Sequence, residues 1–241
     1  MNAATMKKAI EKAIFAEGID EIVIKSDGET GVIPSMGIGK DRLAYVTFPF
    51  NLEGEWGITD PERLIKSLNK IKGDLKIKHE KNKFILSGGG KRYKFPIVNE
   101  VCDIRTVLPF TPTRNESEIV FNGQHAADIE IEFKPNMKEI KAALKSEKVY
   151  ENRANILFKD EIMDISGKDD TEFEAGDSIN GEVKNSTKSE VRTMITGLQE
   201  VMKVANDLTI FTANNNMLYM EDIDEDIHTV FAIMPHLEER C

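Results

Sequence analysis

Four lysines on one short segment are the residues best placed to do chemistry in this sequence, and that chemistry is attraction. In residues 135–148 (PNMKEIKAALKSEK), a helix turning ~100° per residue puts Met137, Ile140 and Leu144 on one stripe and Lys138, Lys141, Lys145 and Lys148 on the stripe beside it. Glu139 and Glu147 lie off the lysine edge, so i,i+4 pairing within the helix does not neutralise it. A solvated face with a lysine excess is the plain reading of any one such helix. The pattern recurs, however. Lys8 and Lys12 share an outer face in 5–17, Arg63, Lys66 and Lys70 share one in 60–72, and Arg192, Thr196, Gln199 and Lys203 form a line in 189–205. A repeated cationic edge calls for an anionic partner outside the helices.

Other residue groups propose less. Ser87-Gly88-Gly89-Gly90-Lys91 lacks the spacing of a phosphate-binding P-loop and leads into a strand, so a hairpin is expected there. His79, His125, His228 and His236 show no HxxxH or His–carboxylate spacing. Asp222, Asp224 and Asp226 alternate as in calcium loops, but the glycine and distal glutamate of such loops are missing, and a solvent-exposed hairpin is expected. Cys102 and Cys241 are too few and too far apart for a disulfide scaffold or a cysteine metal site. No Ser/His/Asp or Cys/His set is visible. The expectation is a chain that is not an enzyme and carries no metal or cofactor.

Composition fits a globular protein of 241 residues, 40% hydrophobic and 31% charged. No apolar run approaches the roughly 18 residues needed to cross a bilayer, and the opening MNAATMKKAIEKAIF mixes charge with apolar residues, unlike a signal peptide. A cytoplasmic protein with no membrane partner is expected. The net charge of −10 argues against a polyanion only if it is evenly spread. The four helical windows hold 13 Lys+Arg and 8 Asp+Glu, leaving 19 and 34 for the remainder, so the helices read as basic and everything else as acidic.

The elements that must position these cations follow from periodicity and punctuation. The helix at 5–17 turns Met6, Ala9, Ile10, Ala13 and Ile14 inward and stops near Gly18. Strands are expected at 21–25, 32–36 and 42–50. Thr59-Asp60-Pro61-Glu62 then supplies a cap, a first-turn proline and acids suited to a helix start. That helix turns Leu64, Ile65, Leu68 and Ile71 inward, and strands at 74–79, 84–87 and 91–95 follow. Residues 96–116 contain Pro96, Pro109 and Pro112 without sustained periodicity, and read as a connector carrying an apolar Val107-Leu108-Pro109-Phe110 run.

The order then returns. Strands at 118–121 and 128–133 precede the lysine helix, and strands at 154–158, 161–166, 172–175 and 178–184 follow it. A helix at 189–205 turns Val191, Met194, Ile195, Leu198, Val201 and Met202 inward, before strands at 208–212, 217–221 and 227–234. An offset of 133 aligns Ile65 with Leu198, Leu68 with Val201, Leu75 with Leu208, Ile77 with Ile210 and Ile85 with Leu218, across a helix, a strand and a hairpin. An offset of 130 aligns Lys8 with Lys138 and Ile14 with Leu144. The expected fold class is α+β: two similar domains, 1–100 and 117–241, joined by a connector at 101–116, each with two helices packed on antiparallel sheet.

This arrangement resembles the DNA sliding clamps, the processivity rings that include the proliferating-cell nuclear antigen family and the clamps of large tailed phages. The resemblance rests on DPERLIKSLNKIKGDLKI and EVMKVANDLTIFT, on the connector, on VIPSMG with Met36, and on the ending VFAIMPHLEE. It departs at the N-terminus, where only residues 1–4 precede the first helix and the family has a full strand. That shortness and the acidic EDIDED run look more like a phage clamp, which would place the chain in a host cytoplasm.

The resemblance implies a ring-shaped homotrimer (DNA clamp fold) around duplex DNA, gripping phosphates without sequence preference through Lys8, Lys12, Arg63, Lys66, Lys70, Lys138, Lys141, Lys145, Lys148, Arg192 and Lys203. It implies a DNA polymerase and a clamp loader as partners, docking a peptide against Met36, Val107, Leu108, Pro109, Phe110, Met234 and Pro235. It also implies subunit pairing through the edges at 91–95 and 178–184. The alternatives are a two-domain protein-interaction scaffold that does not act on DNA and, less favoured, a monomeric hydrolase.

Overall fold

The computed structural model describes residues 2–16, 18–37, 41–98, 111–145, 153–159, 161–168, 174–184 and 189–234. The fold is α+β, with four helices among the described residues and extensive antiparallel sheet. The chain divides into two compact units: Met1–Pro109 with Ile223–Thr229, and Phe110–Asp222 with Val230–Cys241.

Unit 1 opens with α1 (Ala3–Ala13), capped by the Asn2 side chain, which accepts from the Ala4 N–H at 2.9 Å. Its Met6, Ala9, Ile10 and Ala13 are fully buried, and the helix packs on two of the strands that follow. Those strands are β1 (Ile22–Asp27), β2 (Thr30–Met36), β3 (Arg42–Pro49) and β4 (Glu53–Ile58), hydrogen-bonded in the order β4-β1-β2-β3. In the turn between β1 and β2, Asp27 Oδ1 accepts from the backbone of Thr30 at 2.7 Å and Glu29 at 2.9 Å. These bonds, Thr30's first, hold the Asp27 carboxyl below its ordinary pKa. Their support for the turn is therefore present at neutral pH and lost as pH falls through that lowered value.

Next, α2 (Pro61–Leu68) starts where the sequence places it, with Asp60 accepting from the Arg63 N–H at 2.8 Å. It ends earlier than expected, at Leu68, as the N–H groups of Lys70 and Ile71 turn back to Ser67 and Leu68 in a tightened last turn. A second sheet of β5 (Lys76–Glu80), β6 (Lys83–Gly88) and β7 (Lys91–Pro96) completes the unit. Phe84 of β6 reaches the rings of Trp56 at 5.7 Å and Phe50 at 6.5 Å, and Phe50 in turn meets Phe48 at 5.5 Å and Trp56 at 5.4 Å. This aromatic cluster is the core between the two sheets.

Unit 2 opens with β8 (Pro112–Arg114), β9 (Glu118–Phe121) and the twelve-residue β10 (Gln124–Pro135). Then come α3 (Met137–Ala143), β11 (Arg153–Lys159), β12 (Ile162–Lys168), β13 (Glu174–Lys184), β14 (Ser189–Met194), α4 (Ile195–Val204), β15 (Leu208–Ala213) and β16 (Leu218–Asp224). Strand β17 (Ile227–Ile233) begins in the Ile223–Thr229 stretch that counts with unit 1 and ends in unit 2. The strand order β14-β11-β12-β13 reproduces β4-β1-β2-β3, and the succession helix, four strands, helix, three strands occurs once from α1 to β7 and again from α3 to β17.

Three expectations need correction. β4 is an additional strand, hidden in the polar Glu53-Gly54-Glu55 sequence; it is held by a full ladder to β1. Residues 189–194 are strand β14 on β11, so the last helix begins at Ile195. The stretch 178–184 is not an edge throughout: 181–184 pair with β10 while 174–180 pair with β12. Gly181 sits at that change of partner, where a Cβ would collide with the Phe133 ring and the Lys134 carbonyl.

Two outcomes follow for stability. Phe84→Ala is expected to cost about 3–5 kcal/mol, through lost burial and the cavity left in the aromatic cluster. Gly181→Ala is expected to destabilise by about 1–3 kcal/mol, by overpacking against Phe133. Urea unfolding of each purified variant reads both, and a native midpoint in either removes the corresponding packing argument.

Candidate nucleic-acid interface

The helices carry cations in three different states. The first is structural. Lys12 is only 2% exposed, with Nζ 3.6 Å from Asp224 Oδ2, and Lys8 lies 3.4 Å from Asp224 Oδ1 and 3.8 Å from Glu225. The helical wheel put both on an outer face. The tip of the β16–β17 hairpin lies against that face and supplies the carboxylates, a contact that wheel geometry cannot anticipate. Lys12 is therefore withdrawn as a DNA contact, and Lys8 is engaged.

Lys141 is also tied down. Its Nζ donates to the Ala205 carbonyl at 2.7 Å, just past the end of α4, where a cation complements the helix dipole. Gln199, expected on the outward line of α4, donates to the Leu144 carbonyl at 3.1 Å. Two side chains thus stitch α3 to α4. Ile140, Leu144, Leu198, Val201 and Met202 are buried on these helices, as their periodicity requires.

The second state is weak local pairing. Lys66 lies 3.1 Å from Glu62, one turn earlier, with both side chains more than two-thirds exposed. Such a pair contributes only ~0.3–0.5 kcal/mol and leaves the ammonium accessible. The third state is open. Arg63, Lys70, Lys138, Lys145 and Lys203 are exposed and have no ion-pair partner among the described residues. Arg192 falls in β14, not on a helical line with Lys203, because its backbone pairs with Asn155. Lys148 lies outside the described residues.

For the expected peptide pocket the structure gives little. Met36 is 4% exposed in β2, a core residue of unit 1, and this corrects its placement on an outer wall. Met234 is half-buried. Residues 107–110 and Pro235 lie outside the described residues.

The acidic run forms the expected hairpin, with Glu225 and Asp226 exposed, but its first members are not solvent-facing. Asp222 is fully buried and accepts from the N–H groups of Asn206 at 3.0 Å and Asp207 at 2.8 Å. Glu221 makes a two-pronged bond to Arg114, 3.0 Å to Nε and 3.1 Å to Nη2, beneath which the Phe211 ring lies 4.4 Å from the guanidinium carbon. That bond holds the Arg114 pKa above its ordinary value, and burial, with the charge of Glu221, pushes the Tyr219 phenol up.

A His–carboxylate contact that sequence spacing missed also exists. His125 Nε2 lies 3.0 Å from Asp128 Oδ1, and with Glu118 they bring three ligand-type atoms within 4.8 Å. Asn115 and Asn214 donate to the two carboxylates, which accounts for the group as a polar brace on the β9–β10 hairpin.

The division into basic helices and an acidic remainder fails at one place. Residues 76–96 hold seven cationic side chains and one acid, Glu80, in the three-stranded sheet of unit 1. The alternating KIK, KNK and KRYK signal was available in the sequence, but a count over helical windows averages it away.

These assignments separate by stability. Asp224→Asn is expected to cost about 1–3 kcal/mol, because it removes the negative charge 3.6 Å from the buried Lys12 ammonium, whereas Lys138→Gln should fall within about 0.5 kcal/mol of the parent. Thermal unfolding of the two variants checks this. Equal melting temperatures would remove the argument that Asp224 stabilises the fold through Lys12.

Compared with known proteins, the sequence matches no protein-family model and shows no significant similarity to any curated protein.

Proposed function

We propose that this chain is a subunit of a DNA sliding clamp, a ring that encircles duplex DNA and tethers a replicative polymerase. The observation that carries the reading is the duplicated succession of helix, four strands, helix and three strands, with the same strand order in both four-stranded sets. A chain built of two copies of one unit is suited to closing a ring from few subunits, since each copy presents its helices in an equivalent way. Arg63, Lys66, Lys138 and Lys203 on the helices, with Lys70 and Lys145 in the turns that end α2 and α3, are exposed for phosphate contact. Lysine-rich, non-bidentate contacts give sequence-independent attraction that weakens with salt, which suits a track that must be slid along. A polymerase and a clamp loader are the partners of this reading, with residues 107–110 and 235 as their docking segment.

The pairing of Lys8 and Lys12 with Asp224 favours a second reading, a two-domain interaction scaffold, because it removes two cations from α1. Light scattering and DNA topology separate the two. A clamp should elute as a trimer of roughly 82 kDa, three times the 27.2 kDa chain. Once loaded, it should stay on circular duplex and leave a linear one through its ends. Lys138→Glu with Lys145→Glu is expected to cut processivity about tenfold, as loss of two phosphate contacts implies, without changing the trimer. A monomer indifferent to DNA topology would end the clamp reading.

A further inference from the structure

The three-stranded sheet of unit 1 has two unlike faces. Its register places Ile77, Leu86 and Tyr93 in one row and His79, Phe84 and Phe95 in another; these share the inward side with the Phe84 contact to Trp56. The rows of opposite sense are Lys76–Ser87–Arg92, Lys78–Ile85–Lys94 and Glu80–Lys83–Pro96. Five cations therefore stand on one pleated surface, all of them exposed. The one acid there, Glu80, lies 3.3 Å from Arg92, a half-exposed pair. Lys76, Lys78, Lys83 and Lys94 have no ion-pair partner among the described residues.

Like charges gathered on one sheet face repel, and folding alone gives no reason to gather them. The chain has acids to spare, with 42 Asp+Glu against 32 Lys+Arg, and it uses them to answer Lys8 and Lys12. On this face it answers only Arg92, through Glu80. The only large apolar residue at the centre, Ile85, is 2% exposed, so the surface offers no hydrophobic anchor. It carries no aromatic side chain on which an unpaired base could stack.

We propose that the outward face of β5–β6–β7 is a second nucleic-acid surface, which takes the phosphate backbone of a duplex through Lys76, Lys78, Lys83 and Lys94. A cationic face without stacking residues fits a rigid, regularly charged rod. A single strand would lack its stacking partners, and an acidic peptide would lack a groove or anchor. This surface is separate from the helix cations and does not require the chain to form a ring.

The test uses the full chain, a labelled 20-base-pair blunt duplex and no loader, with fluorescence anisotropy read across 25–200 mM salt. Lys78→Gln with Lys94→Gln is expected to weaken binding about tenfold and to reduce the slope of log affinity against log salt by about 1.8, two phosphate contacts at ~0.9 each. Because both are exposed, the melting temperature should be unchanged, and this is measured alongside. An unchanged slope in that variant, or no duplex binding by the parent at 25 mM salt, overturns the proposal. So does tighter binding of a single strand, a polyglutamate peptide or an anionic phospholipid vesicle than of the duplex. Trimer mass and retention on circular DNA report on the ring separately, so either idea can fail while the other stands.

Discussion

The constraint on which the rest of the structure depends is that no helix in it can stand alone. The four among the described residues run 11, 8, 7 and 10 residues, below the length at which an isolated helix is stable in water. Each must bury one stripe to exist, as α1 does with Met6, Ala9, Ile10 and Ala13 and α4 does with Leu198 and Val201. The remaining stripe is then free of any folding requirement. Charge can collect there at little cost to stability, which is how a sheet-supported short helix becomes a carrier of lysines.

What the chain does with that freedom differs from helix to helix. On α1 the cations are drawn into the fold by Asp224 and Glu225, and on α3 Lys141 closes the end of α4. Lys138 and Lys145, on the same turn-to-turn spacing as Lys141, are left exposed. A lysine stripe is thus not one functional object. Its members divide by whether a carbonyl or carboxylate from a distant segment comes within reach.

That division also marks how far the sequence can be read. The start of α2 was legible because Asp60 and Pro61 act locally, through a cap and a fixed backbone angle. The 133-residue offset was legible because buried positions repeat wherever the same elements repeat. β14 reads as helix because Val191 and Met194, spaced three apart, fit a helical stripe, and only the ladder to β11 makes it a strand. β4 was missed since its stability comes from pairing with β1 and from Trp56 at its inner end. The fate of Lys12 depended on a hairpin more than 200 residues away in sequence, and no local pattern encodes such a meeting.

Arg114 has a mechanical meaning as well as an electrostatic one. It is the last residue of β8, and its guanidinium is gripped at two points by Glu221 while resting on Phe211. A pull along β8 meets the contacts of Thr111, Pro112 and Thr113 to Asn122 and β9 and then, at Arg114, a forked ionic bond to β16. The fork therefore anchors the end of β8 at a second strand, so that its three residues do not depend on the β9 ladder alone.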